Sequence, residues 1–110
     1  MNNWKIVFYQ TASGREPVKE FIGKLPAKHQ AKINQHIDLL KEYGIFLVQP
    51  YLKKVAGSKN LRELRPARYR IFLSFLAKKN ILLIHSILKK TQKTPKKDIK
   101  LAEKRLKEYL

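Results

Sequence analysis

Apolar and polar positions along the chain change period several times, and each change marks an element. Ile6, Val7, Phe8 and Tyr9 are β-branched or aromatic and predict a strand over residues 5–9, broken at Ser13-Gly14. Pro17 suits the first turn of a helix, where a missing N–H costs nothing, and Val18, Phe21, Ile22 and Leu25 then recur on one helical face until Pro26 stops it. A second helix is predicted from about residue 27 to 43, with Ile33, Ile37 and Leu40 as its core stripe and Gly44 at its C-cap. His29 and His36 lie on that helix as partly exposed surface residues. Residues 45–54 read as a connector interrupted by Pro50, and residues 56–60 (AGSKN) as a loop.

Three strands follow in close succession. Residues 61–65, 69–76 and 81–88 are separated by Pro66-Ala67 and by Lys78-Lys79-Asn80, and such short connections predict antiparallel hairpins. Thr94 before Pro95 matches an N-cap residue followed by proline at the first helical position. The last helix is then predicted from residue 95 to about 109, with Ile99, Ala102, Leu106 and Tyr109 along one stripe. The order strand, helix, helix, three strands, helix gives an α+β fold. No repeat or linker divides the chain, so residues 1–110 are read as one domain.

Alternation sorts the strand residues by face. Leu61, Glu63 and Arg65 share one face, opposite Arg62 and Leu64. Tyr69, Ile71, Leu73 and Phe75 form the more apolar set and are expected to meet the helices, which leaves Arg70, Phe72 and Ser74 on the more open face. In register, Glu63 and Arg65 share that face with Arg70.

Charge sharpens this picture. The 110 residues carry a net charge of +17, an extreme value that favours a nucleic acid, an anionic membrane or an acidic protein as partner. With no cysteine, disulfides and thiolate chemistry are excluded. The N-terminal stretch lacks the apolar core of a secretory signal, and no run approaches the ~20 apolar residues needed to span a bilayer. A soluble chain of the cytoplasm is expected, without a membrane partner.

An arginine anchored on a strand presents a planar fork that binds phosphate oxygens and stabilises charge building on them. Arg70 therefore reads either as a phosphate ligand or as half of a cross-strand ion pair with Glu63. Lys89, Lys90, Lys93 and Lys96 lie between a strand end and a helix start, where helical N–H groups add to an anion site. Lys96 and Lys97 in the first helical turn oppose the macrodipole, as residues kept for a bound anion would; solvated surface charge is the plainer reading. His85 is either a proton carrier near neutrality or a structural residue with one hydrogen bond. The histidines are scattered and the four glycines isolated, so neither a metal site nor a phosphate-binding glycine loop is expected, and no cofactor.

GSKNLRELR at residues 57–65, RYRIF at 68–72 and KKTQKTP at 89–95 together resemble the RelE/ParE superfamily of bacterial toxins, nearest to its HigB-like, phage-derived branch. The likeness extends over nearly the whole chain. It implies a RelE-like fold and the toxin of a type II toxin–antitoxin system that cleaves messenger RNA on the translating ribosome without a metal. The ribose 2′-hydroxyl attacks the adjacent phosphate in such enzymes. Arg70 falls on the key strand arginine, Lys90 on a further basic residue of the active site, and Arg65 on the arginine following leucine. Leu61 and Glu63 stand where RelE has lysines, and Lys96 near RelE's C-terminal tyrosine, so Glu63 and His85 are the candidates for proton transfer. Lys53, Lys54, Lys59, Arg62, Arg68, Lys89, Lys93 and Lys96 would hold RNA backbone. A cognate antitoxin is the implied protein partner. The superfamily also contains gyrase-directed, ParE-like toxins, and a basic RNA-binding module without chemistry would share the same charge pattern.

Overall fold

The computed structural model describes residues 4–110. The first three residues of the leading stretch, read above as free of a secretory signal, lie outside the described residues. Strand β1 (Lys5–Phe8) is followed by helices α1 (Pro17–Gly23) and α2 (Ala27–Tyr43), strands β2 (Leu52–Lys54), β3 (Arg62–Leu64), β4 (Tyr69–Leu76) and β5 (Asn80–Leu88), and helix α3 (Lys96–Lys107). The strands form one sheet in the order β1-β5-β4-β3-β2, antiparallel except where β1 runs parallel to β5. The α+β reading holds, with one addition. Residues 52–54, assigned above to a connector, are an edge strand paired to β3; three residues between Pro50 and a glycine loop are too few to show a period.

Each face of the sheet buries its own core. Val18, Ile22, Ile33, Ile37 and Leu40 from α1 and α2 pack on Leu64, Tyr69, Ile71, Leu73, Ile81 and Leu83. Ala102 and Leu106 from α3 pack on Leu61, Phe72, Leu82 and Ile84 across the other face. The face carrying Arg70, expected to be the more open, is therefore roofed by α3 over much of its length: Phe72 is fully buried and Ser74 nearly so. A stripe of Ile99, Ala102 and Leu106 needs an apolar surface, and Phe72 supplies it.

A bulge decides what that face presents. Phe72 pairs with His85 but Leu73 pairs with Leu83, so Ile84 is an extra residue in β5. Beyond it the alternation of β5 is reversed. His85 stacks on Phe72 with the rings 12° from parallel, and Ile87 joins the α3-side core. The Arg105 Nη1 donates to the Ile84 carbonyl at 2.9 Å, tying α3 to the bulge.

Two local expectations are corrected. His36 is buried, not surface: its Nδ1 lies 3.0 Å from the Lys32 carbonyl oxygen and its ring packs edge-on against Tyr51. Burial lowers its pKa below the ordinary histidine value, partly opposed by that carbonyl. Pro95, not Thr94, is the residue capping α3, and the Thr94 hydroxyl turns toward Glu63 instead. Among the described residues, no helix is long and apolar enough to cross a membrane.

Gly44 ends α2 as expected, with φ of 53° and ψ of −128°, a conformation that strains any side chain. A Cβ there would also run into the Trp4 indole. Gly44→Ala is therefore expected to destabilise the protein by about 1–3 kcal/mol, read as a lowered urea midpoint, and Trp4→Leu in the same background should recover part of the loss by removing the clash.

Candidate functional site

Glu63 is the centre of the site. A polar residue in a three-residue strand ordinarily faces water, but Glu63 is 4% exposed on the α3 face. The register places Lys53, Glu63, Phe72 and His85 in one row of Cα partners across four strands. The Glu63 Oε2 stands 3.5 Å from the Arg65 Nε and 4.0 Å from the Arg70 Nε, and the Thr94 hydroxyl approaches Oε1 at 3.5 Å. Both Nε groups are buried and, among the described residues, hydrogen-bond to nothing, so the attraction is Coulombic across a slightly long gap.

Arg70 is held from its other side as well. Its Nη1 donates to the Ala67 carbonyl at 2.9 Å and to the Tyr69 carbonyl at 2.7 Å. A side chain 12% exposed and gripped at three points has little rotamer freedom left. Burial and the adjacent Arg65 both lower the Arg70 pKa, and Glu63 opposes them. Lys89, whose backbone N–H donates to the Arg68 carbonyl, is lowered chiefly by burial and further by Arg70, Arg65 and Lys53, against Glu63.

These side chains line two adjoining clefts. The first, of about 610 Å³, is bounded by Lys53, Arg65, Ala67, Arg68, Arg70, Lys89, Lys90, Thr91 and Gln92. The second, of about 370 Å³, runs from Lys53 and Lys54 past Val55, Ala56 and Glu63 to Lys89, Gln92, Lys93, Thr94, Lys96 and Ile99. Nine lysines and arginines thus face a single carboxylate, which is already engaged. An anion entering the first cleft would relieve repulsion that Glu63 alone leaves uncompensated. Among the described residues, no three of His, Asp and Glu stand together as a metal site.

Sequence reasoning named all nine of those basic residues, and Glu63. Three named residues lie elsewhere. Arg62 points away, its guanidinium 5.8 Å from the Phe75 ring centroid and beside Ile45 and Leu47. Lys59 belongs to the exposed loop before β3 and lines neither cleft. His85 stands in the Glu63 row but its Nε2 meets the Asp98 Oδ1 at 2.7 Å, so its polar edge turns to α3. Asp98 was missed, as were the cleft residues Thr91, Gln92 and Thr94. Its signal was there to read, since it is the one acid in the lysine-rich first turn of α3.

No curated protein matches the chain at a significant level. A family profile described as phage-derived protein Gp49-like (DUF891) matches residues 20–107, from α1 to the end of α3. With its five-stranded RelE-like sheet, the chain belongs to the phage-derived Gp49-like family, a family of RelE-type, toxin-like proteins.

Proposed function

We propose that this single-domain, HigB-like chain is the toxin of a type II toxin–antitoxin system, a ribosome-dependent endoribonuclease that cuts messenger RNA in the cytoplasm without a metal. The observation that carries the reading is the Arg65–Glu63–Arg70 arrangement at the wall of a cleft whose charged lining residues are all basic. Glu63 holds the two guanidiniums by their Nε edges. With the Arg70 Nη1 spent on the Ala67 and Tyr69 carbonyls, the Arg70 Nη2 and the Arg65 Nη groups are left for the cleft, where a scissile phosphate would sit.

In the reaction, the 2′-hydroxyl gives up its proton to solvent water in the open cleft and attacks phosphorus. The bond to the 5′-oxygen breaks, and that oxygen takes up a proton, leaving a 2′,3′-cyclic phosphate and a 5′-hydroxyl. Arg70 and Arg65 neutralise charge on the equatorial oxygens, and Lys90 closes the outer side. Lys89 is the cleft side chain best matched to the proton donor, because burial and its cationic neighbours make it more acidic than an ordinary lysine. Lys54, Lys93 and Lys96 in the second cleft extend the track for RNA backbone. An acidic antitoxin covering this surface would silence it by charge complementarity.

Arg70→Ala is expected to reduce cleavage by about 10²-fold or more in primer extension on a translated message, while the fold loses only about 1–2 kcal/mol from the freed Ala67 and Tyr69 carbonyls. Arg70→Lys should recover little, since an ammonium lacks the fork. Cuts that persist in Arg70→Ala would overturn the assignment; an uncut message with folded parent protein would favour the gyrase-directed or binding-only alternatives.

Glu63→Gln leaves two guanidiniums buried together and should cost about 2 kcal/mol or more. Sodium sulfate should restore more stability to that variant than to the parent, relative to sodium chloride at equal ionic strength. Equal responses would mean that the arginines do not face an anion site.

A lysine whose pKa is lowered in the folded state loses its proton earlier as pH rises. Activity should therefore fall on the alkaline side below the ordinary lysine value of 10.5, and Lys89→Arg, which keeps the charge but cannot release a proton, should remove that limb along with most of the rate. An unchanged pH–rate profile in Lys89→Arg would rule out the proton-transfer role.

A further inference from the structure

A third hollow, of about 460 Å³, adjoins the first cleft at the Pro66–Tyr69 turn and lies between the N-terminal end of α2 and the end of β5. Its interior is largely apolar. It is formed by the exposed His29 ring, the largely buried Tyr69 ring tilted 62° to it, Ala67 and Leu88, which is 44% exposed. The Tyr69 hydroxyl and the His29 Nδ1 meet at 2.7 Å, which leaves the pair able to exchange one hydrogen bond with a ligand at its margin. Phe21, edge-on to Tyr69 at 5.9 Å, fixes the ring from behind. Lys28 and Lys32, one helical turn apart, and Arg68 make the rim entirely cationic. Ala67 and Arg68 line this hollow and the first cleft alike.

An apolar hollow with an exposed imidazole face, hydrogen-bonding groups at its margin and a positive rim fits an aromatic ring carried on an anionic chain. The geometry points to a nucleobase subsite: the hollow takes one unstacked base of the strand whose phosphate lies against Arg65 and Arg70, with Arg68 holding the intervening backbone. This deepens the RNA-cleaving reading and rests on it. The subsite would read the base next to the cut. The exposed His29 ring and Leu88 give such a base its packing surface, as aromatic and apolar side chains do for single-stranded bases whose edges are then free to be read.

The test is abasic scanning. A labelled single-stranded RNA hexamer, 2′-O-methylated to block cleavage, is titrated with the full chain, and each position is replaced in turn by an abasic nucleotide. One position is expected to weaken binding by about tenfold, and Leu88→Trp, which fills the hollow from an exposed position, should abolish that difference while leaving the salt dependence of binding intact. In parallel, the His29 ring resonances of the unmodified protein should shift with nucleoside monophosphates but not with inorganic phosphate. Equal affinity for all abasic positions, or unmoved His29 resonances, overturns the subsite and leaves the phosphate cleft standing. Absence of any salt-dependent RNA binding removes the RNA-cleaving reading and the subsite with it.

Discussion

One buried carboxylate makes the basic face of this protein possible. Arginines on neighbouring strands of a sheet repel each other, and burial raises the cost of each charge. Glu63 sits between Arg65 and Arg70 on the covered side of β3 and offsets both. Because its contacts are to the Nε edges, it supports the guanidiniums without closing their outer ends. The surrounding lysines of the β2 edge and the residue 89–96 segment can then be placed around the pair at a tolerable electrostatic cost. A lysine in the Glu63 position, as the RelE resemblance implies for that enzyme, would require another solution. In this chain positive charge is gathered at the cleft by means of a negative one.

The bulge at Ile84 and the α3 roof are the second layer of the same arrangement. Phe72 fills the space between Glu63 and His85, and the His85–Asp98 contact with the Arg105–Ile84 bond clamps α3 over that row. The helix thereby covers one end of the face and leaves the end bearing Arg65, Arg70 and Lys89 open. Position along one sheet face thus separates core from cleft.

Much of this was legible in the chain. Strong periods gave α2 and β4 to the residue, and the turn chemistry around Pro66 and Lys78 gave the hairpins that bring Glu63, Arg65 and Arg70 together. Basic residues flanking those strands were enough to name the cleft's cations. What escaped was non-local. An edge strand of three residues has no period of its own and exists because β3 offers it a partner. A bulge has no marker in ILLIHSIL, yet it determines which way His85 faces. His36 looks like a surface residue until Tyr51 folds over it, and Thr94 looks like a helix cap until a buried carboxylate competes for its hydroxyl. Arg62 and Lys59 were named by charge, although alternation had already put Arg62 on the face opposite Glu63.

The parallel pairing of β1 with β5 has a consequence for how the molecule comes into being. Residues 5–8 find their sheet partner only in residues 80–83, and the Tyr9 hydroxyl is anchored by Glu108 while Tyr109 receives the Gln10 N–H. Closing such long loops is slow relative to local structure. On a chain synthesised from its N-terminus, the first strand waits until residues 80–83 have been made, and the basic cleft, drawn from residues 53 to 96, is complete only after them. Until then the basic surface exists only in pieces, its cations made but not yet brought to one place.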